Sequence, residues 1–258
     1  MKVTLVPSSV AADGSAPASI QHLTSYLIDD SLVIDAGCVG LLDDPEKQSQ
    51  VRRAFLSHTH LDHIASLPIL VENAYRANRA GITIHASEYV IACLKTNMFN
   101  WDVWPDFVAL STAETSFLRF ETLEPGRSVS FEGFVVTPIE VNHVVPTLGF
   151  VIEDETSAIV VSSDTGPTEA IWERARSTKN LKAVFLEATF PAEMQRLAEL
   201  SKHLTTETFA REVEKIDRSV RVIAVHIKAR YHRQVVTELE AYRLANVEIG
   251  RFGVPYCF

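Results

Sequence analysis

The sequence predicts a layered α/β fold in which sheets are covered by helices. Three observations carry that expectation. Short apolar runs separated by Gly, Pro or acidic turns fill the first two thirds of the 258 residues. The last third alternates strand and helix patterns. Hydrophobic residues make up 47% and charged residues 22%, the mix of a chain that buries a core rather than one that stays disordered.

The elements follow in order. Runs 3–6, 23–28 and 32–34 read as strands, the last two joined across Asp29-Asp30 as a hairpin. A short strand at 53–56 precedes a helix over 65–77, and Gly81 ends that helix before a strand at 82–85. Ser87 reads as the N-cap of a helix over 88–96. Strands are expected at 117–123, 128–131, 134–141, 149–153 and 158–162. Then come a helix at 168–176, a strand at 183–186, helices at 192–200 and 205–216, a strand at 220–225 and a helix at 233–241. No repeat, low-complexity segment or long linker divides the chain, so residues 1–258 read as one domain. The apolar tail 253–258 is compatible with folding into the core or with sealing a homodimer.

Charge and composition exclude several classes. With 24 Lys+Arg against 33 Asp+Glu, the net charge is −9, which counts against sequence-independent binding to nucleic acid or anionic lipid. The longest apolar run, 64–71, contains Ser66 and Pro68 and is too short to span a membrane. The opening residues lack the apolar stretch of a secretory signal. Cys38, Cys93 and Cys257 are odd in number and widely spaced, matching neither a disulfide framework nor a Cys-x-x-Cys motif. A reducing cytoplasm is the expected compartment.

The chemistry is concentrated in Leu56-Ser-His58-Thr-His60-Leu-Asp62-His63. Three imidazoles and a carboxylate within six residues suit zinc, manganese or iron, and the absence of cysteine speaks against a structural zinc finger. On an extended segment His58 and His60 point the same way, while Asp62 and His63 enter a turn and can face a second metal. The plainer alternative is a polar surface loop with satisfied histidines.

This His-x-His-x-Asp-His run resembles the signature of the metallo-β-lactamase superfamily. The resemblance implies an αββα sandwich of two mixed sheets flanked by helices, with one or two metals at its edge. It extends to His143 in Glu140-Val-Asn-His-Val-Val-Pro, to Asp164 in Val161-Ser-Ser-Asp-Thr-Gly, and to His226 in Val222-Ile-Ala-Val-His-Ile-Lys. It implies a first metal on His58, His60, His143 and Asp164, and a second on Asp62, His63, His226 and Asp164. Two divalent ions against two carboxylates leave a formal charge of about +2, which suits an anionic phosphoryl group.

Further stretches resemble the class II cyclic-nucleotide phosphodiesterases. They are residues 58–70, Met98-Phe-Asn-Trp-Asp-Val-Trp-Pro-Asp-Phe107, Phe185-Leu-Glu-Ala-Thr-Phe-Pro-Ala-Glu-Met-Gln195, Ser201-Lys-His-Leu-Thr205 and the opening 3–9. Lys202 stands where that class has glycine, and Thr206 where it has proline. Glu187 and His203 also resemble the Glu-Ala-Thr and His-Ser-Thr loops of tRNase Z, where such a pair serves proton transfer to the leaving oxygen. The resemblance implies two zinc ions (manganese or iron as alternatives) and hydrolysis of 3′,5′-cyclic AMP or GMP to the 5′-monophosphate. Asp62 would orient the attacking water and His203, held by Glu187, would protonate the ribose 3′ oxygen. The expected partner is therefore a small cyclic nucleotide, with no nucleic acid polymer and no membrane. A tRNase Z-like processor, a thiol-ester or persulfide hydrolase or oxygenase of the same fold, and a non-catalytic nucleotide binder are the alternatives.

Other candidates stay open or structural. His22, His85 and His232 read as structural or surface residues. Phe99, Trp101, Trp104 and Phe107 could stack on a base or pack locally, and Lys228 and Arg230 could meet phosphate or form a solvated turn. No Walker loop and no G-x-G-x-x-G is present.

Overall fold

The structure is a computed structural model that describes residues 1–8, 22–76, 80–112 and 115–258. Its strands in chain order are β1 (Lys2–Leu5), β2 (Tyr26–Ile28), β3 (Leu32–Ile34), β4 (Arg53–Phe55), β5 (Ile82–Ala86), β6 (Leu118–Thr122) and β7 (Val129–Phe131). They continue with β8 (Phe134–Glu140), β9 (Leu148–Glu153), β10 (Ala158–Val161), β11 (Leu181–Glu187), β12 (Arg221–Val225), β13 (Val247–Ile249) and β14 (Pro255–Cys257).

Two seven-stranded mixed sheets result, in the orders β14-β1-β2-β3-β4-β5-β6 and β13-β12-β11-β10-β9-β8-β7. They face each other across a core that joins Ile28, Ile34 and Phe55 of the first sheet to Phe150, Ile159, Phe185 and Ile223 of the second. The helices Leu67–Ala74 and Glu88–Asn97 cover the outer face of the first sheet through Leu67, Leu70, Val90 and Leu94. The helices Ala170–Ser177, Thr206–Val213 and His232–Ala241 cover the second through Trp172, Phe209 and Leu239. This is the αββα sandwich expected from the sequence. Strands buried on both faces explain their nearly unbroken Val/Ile/Leu content, since alternation marks only half-buried strands.

Local chemistry sets several joints. The β2–β3 hairpin turns on Asp29 and Asp30, both with positive φ, as a two-residue turn between twisted strands demands. The helix Glu88–Asn97 starts where Ser87 Oγ accepts from Val90 N. The helix expected over 65–77 instead begins at Leu67, after a separate turn Leu61–Ile64, and its last expected residue lies outside the described ones. Pro68 has no N–H to bond back into the preceding turn, and Ser66 Oγ is engaged with Ala36 O and Gly40 N instead. The helix expected from 192 begins as the 3₁₀ turn Ala192–Met194 and becomes α-helical only over Gln195–Ser201.

Two strands were not foreseen. β13 and β14 complete the outer edge of each sheet, and β14 pairs antiparallel with β1. The tail therefore lies against the first sheet, with Tyr256 buried in the inter-sheet core. Among the described residues no helix is long and apolar enough to cross a membrane.

What positions the site is strand direction. β3, β4 and β5 run parallel, as do β10, β11 and β12, and β8 runs parallel to β10 through the intervening antiparallel β9. The loops after β3, β4, β8, β10, β11 and β12 thus leave from the carboxyl ends of their strands, where open α/β sheets carry their functional groups.

Candidate metal centre

His58 sits three residues beyond β4 and is fully buried; His60, Asp62 and His63 follow as the chain turns into Leu61–Ile64. Backbone packing holds this loop closely. Thr24 N donates to Asp62 O at 2.7 Å, and a Cβ on Gly37 would stand 2.0 Å from that same carbonyl, so only glycine fits there.

The structure brings all seven expected ligands together in two groups. One atom from each of His58, His60, His143 and Asp164 falls within a 4.8 Å cluster, and so does one from each of Asp62, His63 and His226. Asp164 lies between them: Oδ2 is 3.7 Å from His58 Nε2, while Oδ1 is 3.3 Å from His63 Nε2 and 3.4 Å from His226 Nε2. Asp62 Oδ2 is 3.3 Å from His226 Nε2. Asp164, His203 and His226 form a third such group, placing His203 against the centre rather than apart from it.

Four of the five rings are oriented from behind, His60 being the exception. His63 Nδ1 donates to Asp35 Oδ2 at 2.6 Å. His58 Nδ1 lies 2.9 Å from Ser57 Oγ, which itself donates to Asp35 Oδ2 at 2.7 Å and so accepts from the imidazole. His143 Nδ1 donates to Lys202 O at 3.1 Å. His226 Nδ1 donates to Thr189 Oγ1 at 3.1 Å, whose hydroxyl proton goes to Glu187 Oε2. With Nδ1–H committed outward, Nε2 of all four rings presents its lone pair inward, the arrangement of metal-binding histidines.

Charge in the cluster is out of balance without a cation. His58 Nε2 and His63 Nε2 are buried with no hydrogen-bond partner. Burial holds the His58 imidazole well below its usual pKa, and His63 beside it adds to the effect. Burial also opposes charge on His63, yet Asp164 and Asp35 carry its pKa well above normal. Burial would raise the Asp164 carboxyl, but His226 and His63 hold it well below the carboxylate range. The carboxylates demand positive charge at the imidazole nitrogens, and a divalent cation supplies it without a proton. The donor set, imidazole and carboxylate with no thiolate, suits a borderline divalent ion.

A second pair flanks the cluster. His203 Nδ1 donates to Glu187 Oε1 at 2.9 Å, and Glu187, itself buried, also accepts from Thr165 N and Leu204 N. Burial lowers the pKa of His203, but the adjacent Glu187 overcomes it and raises the net value. Its ring centroid is 5.0 Å from that of His143 and 5.6 Å from that of His226, so it stands across both groups.

The pattern of the fold and of these loops is that of a known family. The model described as beta-lactamase superfamily domain matches residues 33–227. The chain belongs to that superfamily. A probable 3′,5′-cyclic-nucleotide phosphodiesterase of Yersinia pestis is 24% identical over 211 residues, which are 72% of this chain and 60% of that protein. The chain thus spans about three fifths of that relative's length. Ribonuclease Z of Bacillus velezensis is 22% identical over 83% of this chain and 85% of its own. Unliganded yeast PDE1 superposes with a TM-score of 0.77 at 16% identity, covering 98% of each chain, a likeness of fold.

Within the superfamily scaffold, several contributing residues escaped the sequence reading. Asp35 and Ser57 orient His63 and His58, and Thr189 orients His226. Asp35 follows directly on an apolar strand, as Asp164 follows three residues after one, and that position is its available signal. Lys228, left open between phosphate contact and solvated turn, puts Nζ 3.5 Å from Asp62 Oδ2. Phe99, Trp104 and Phe107 pack with the helices outside the first sheet, whereas Trp101 is exposed.

Proposed function

We propose that this protein is a binuclear-metal phosphodiesterase that opens 3′,5′-cyclic nucleotides to 5′-monophosphates, acting as one domain over residues 1–258. The observation that carries the reading is the Glu187–His203 pair beside a bipartite His/Asp cluster. A hydrolase needs a proton donor at the leaving oxygen, whereas a non-catalytic binder does not. Two relatives named 3′,5′-cyclic-nucleotide phosphodiesterase, one probable from Yersinia pestis and one from Candida albicans, support the reaction class. The net charge of −9 favours a small diester over a long polyanion.

His58, His60, His143 and Asp164 would hold one ion, and Asp62, His63, His226 and Asp164 the other, with zinc preferred and manganese or iron as alternatives. When bound, such ions polarise a phosphoryl oxygen and make water nucleophilic near neutral pH. The chain's own residues do the rest. Asp62, a quarter exposed at the rim of the cluster, accepts a hydrogen bond from the attacking water and aims it. His203, charged by virtue of Glu187, gives its Nε2 proton to the departing ribose 3′ oxygen. Glu187 keeps that ring in place by its bond to Nδ1. Thr189 ties Glu187 to His226, so one hydroxyl links the partner of the proton donor to the cluster. The free thiols Cys38, Cys93 and Cys257 fit a reducing cytoplasm.

The test is turnover of cyclic AMP and cyclic GMP by zinc- or manganese-loaded protein, with metal content measured on the same sample and precursor tRNA as a control substrate. The 5′-monophosphate is the expected product. Protein that carries two ions and leaves both cyclic nucleotides intact overturns the reading, and cleavage of precursor tRNA alone points to the ribonuclease branch.

A further inference from the structure

We propose that the cavity beside the second metal group is the site for the nucleobase and ribose of the substrate; this rests on the phosphodiesterase reading and extends it. The cavity measures about 420 Å³ and opens above the edge where β1 and β2 of one sheet face β12 and β13 of the other. His226 belongs both to its wall and to the metal cluster, so the cavity adjoins the place where the substrate phosphate would lie.

The lining chooses the kind of ligand. The floor is apolar, from Leu5, Tyr26, Val225 and Ile249. One wall is a stacked pair, the rings of His22 and Phe252, whose centroids are 3.7 Å apart at an interplanar angle of 15°. A flat heteroaromatic ring extends such a stack at little cost in order, because each new face meets an existing one. Polar residues in the lining are few: Thr24, His232 and Arg251, with the Ser25 hydroxyl accepting from Cys38 N and Val39 N. That is the make-up of a site that desolvates a planar ligand and reads its polar edge.

Charge narrows the ligand further. The chain carries −9, yet among the described residues lining this cavity there is no carboxylate, and Arg251 supplies the positive charge, since burial lowers the pKa of His22 and of His232. An uncharged base joined to a phosphate fits that field, whereas a free cation does not. The volume is of the order of a drug-sized ligand site, enough for one nucleoside and too little for a run of nucleotides. The aromatic segment 98–107, the other candidate for base stacking, packs mainly outside the first sheet instead.

The experiment compares each cyclic nucleotide with methyl p-nitrophenyl phosphate, a diester with no base, using metal-loaded full-length protein. Two variants alter the cavity: Phe252→Ala removes half of the stacked wall, and Val254→Trp fills the cavity from an exposed position at its rim. The expected result is a fall of about tenfold or more in the ratio of kcat/KM for the cyclic nucleotide to that for the plain diester, the size of effect one lost apolar contact gives. If Phe252→Ala fails to fold, as judged by its melting curve, Val254→Trp decides alone. A ratio within about twofold of the unsubstituted protein in a folded variant overturns the assignment. Failure of the phosphodiesterase reading looks different: the unsubstituted protein then turns over neither cyclic nucleotide while its plain-diester activity is intact.

Discussion

Asp35 Oδ2 accepts a hydrogen bond from His63 Nδ1 at 2.6 Å while Ser57 donates to the same carboxylate through both its amide and its hydroxyl. One buried carboxylate behind the cluster therefore orients two imidazoles, His63 directly and His58 through Ser57. Asp35 has φ of +57°, a left-handed backbone at the end of β3 that turns its side chain toward the loop after β4. Asp35→Asn should lower affinity for the second ion by about 10- to 100-fold, the usual effect of removing an outer partner of a metal-bound histidine. Competition against a calibrated chelator measures this, and undiminished affinity would remove Asp35 from the site.

Lys202 is the departure from glycine, and the structure shows what the position requires. Its backbone is left-handed, φ 52° and ψ 55°, where glycine rests without a Cβ penalty. Lysine compensates by a reciprocal clamp: its carbonyl accepts from His143 Nδ1, and its Nζ donates to His143 O at 3.0 Å. Lys202→Ala keeps the strain and loses the clamp, whereas Lys202→Gly loses both. Alanine should therefore be the less stable of the two by about 1 kcal/mol in urea unfolding. The opposite order would mean that the left-handed backbone carries no Cβ penalty at this position.

Legibility of the site followed locality. His58, His60, Asp62 and His63 lie within six residues, so their joint purpose is visible without a fold. Asp164 and His226 were found because each follows an apolar strand and fills a place in a known order. Asp35 also follows a strand, but so does Asp29, which merely turns a hairpin. What separates them is the parallel pairing of Ile34 with Phe55, which sets Asp35 beside Ser57. That is a tertiary fact. The same holds for β13 and β14, three residues each, which exist because β12 and β1 offer them an edge. The cavity lining joins residues near 24, 226 and 251, and no window along the chain contains them together.

His85 makes stability depend on pH away from the metal cluster. It is buried, stacked on Phe55 with centroids 4.3 Å apart, and Arg53 donates to its Nε2; Arg119 and Glu121 are the other charges nearby. Burial, then Arg53 and Arg119, push its pKa down to about 4. The unfolded chain binds this proton near pH 6.5 and the folded one only near 4, so the unfolded state holds more protons between those values. Stability from this group is complete above about pH 6.5 and declines as pH falls toward 4, by about 2 kcal/mol at pH 4.5. His85→Phe, which keeps the stack, should lose correspondingly less stability between pH 7 and 4.5 than the unsubstituted protein. Parallel losses in the two proteins would show that His85 titrates normally.

His203 has two readings that one variant separates. It can donate the proton at the leaving oxygen, or serve as a ligand in its group with Asp164 and His226. His203→Ala should lower kcat by about 10²- to 10⁴-fold, the range for a lost general acid, with both ions still bound. Loss of an ion from the variant, seen by metal analysis, assigns it to ligation instead. An active variant would exclude both.

Asp164 faces both groups, through Oδ2 to His58 and Oδ1 to His63 and His226. Without its carboxylate each group loses an anionic donor that offsets a cation's charge, so the two sites should fail together rather than singly. A bound ion stabilises the folded chain by mass action, because the unfolded chain has no preformed site. Chelated protein should therefore melt about 5 °C or more below zinc-loaded protein when free zinc stands well above the dissociation constant. Asp164→Ala should melt at the same temperature with and without zinc and should retain neither ion on gel filtration. A variant that keeps one ion and a zinc-dependent shift would show that the two groups bind independently, and Asp164 would then belong to only one of them.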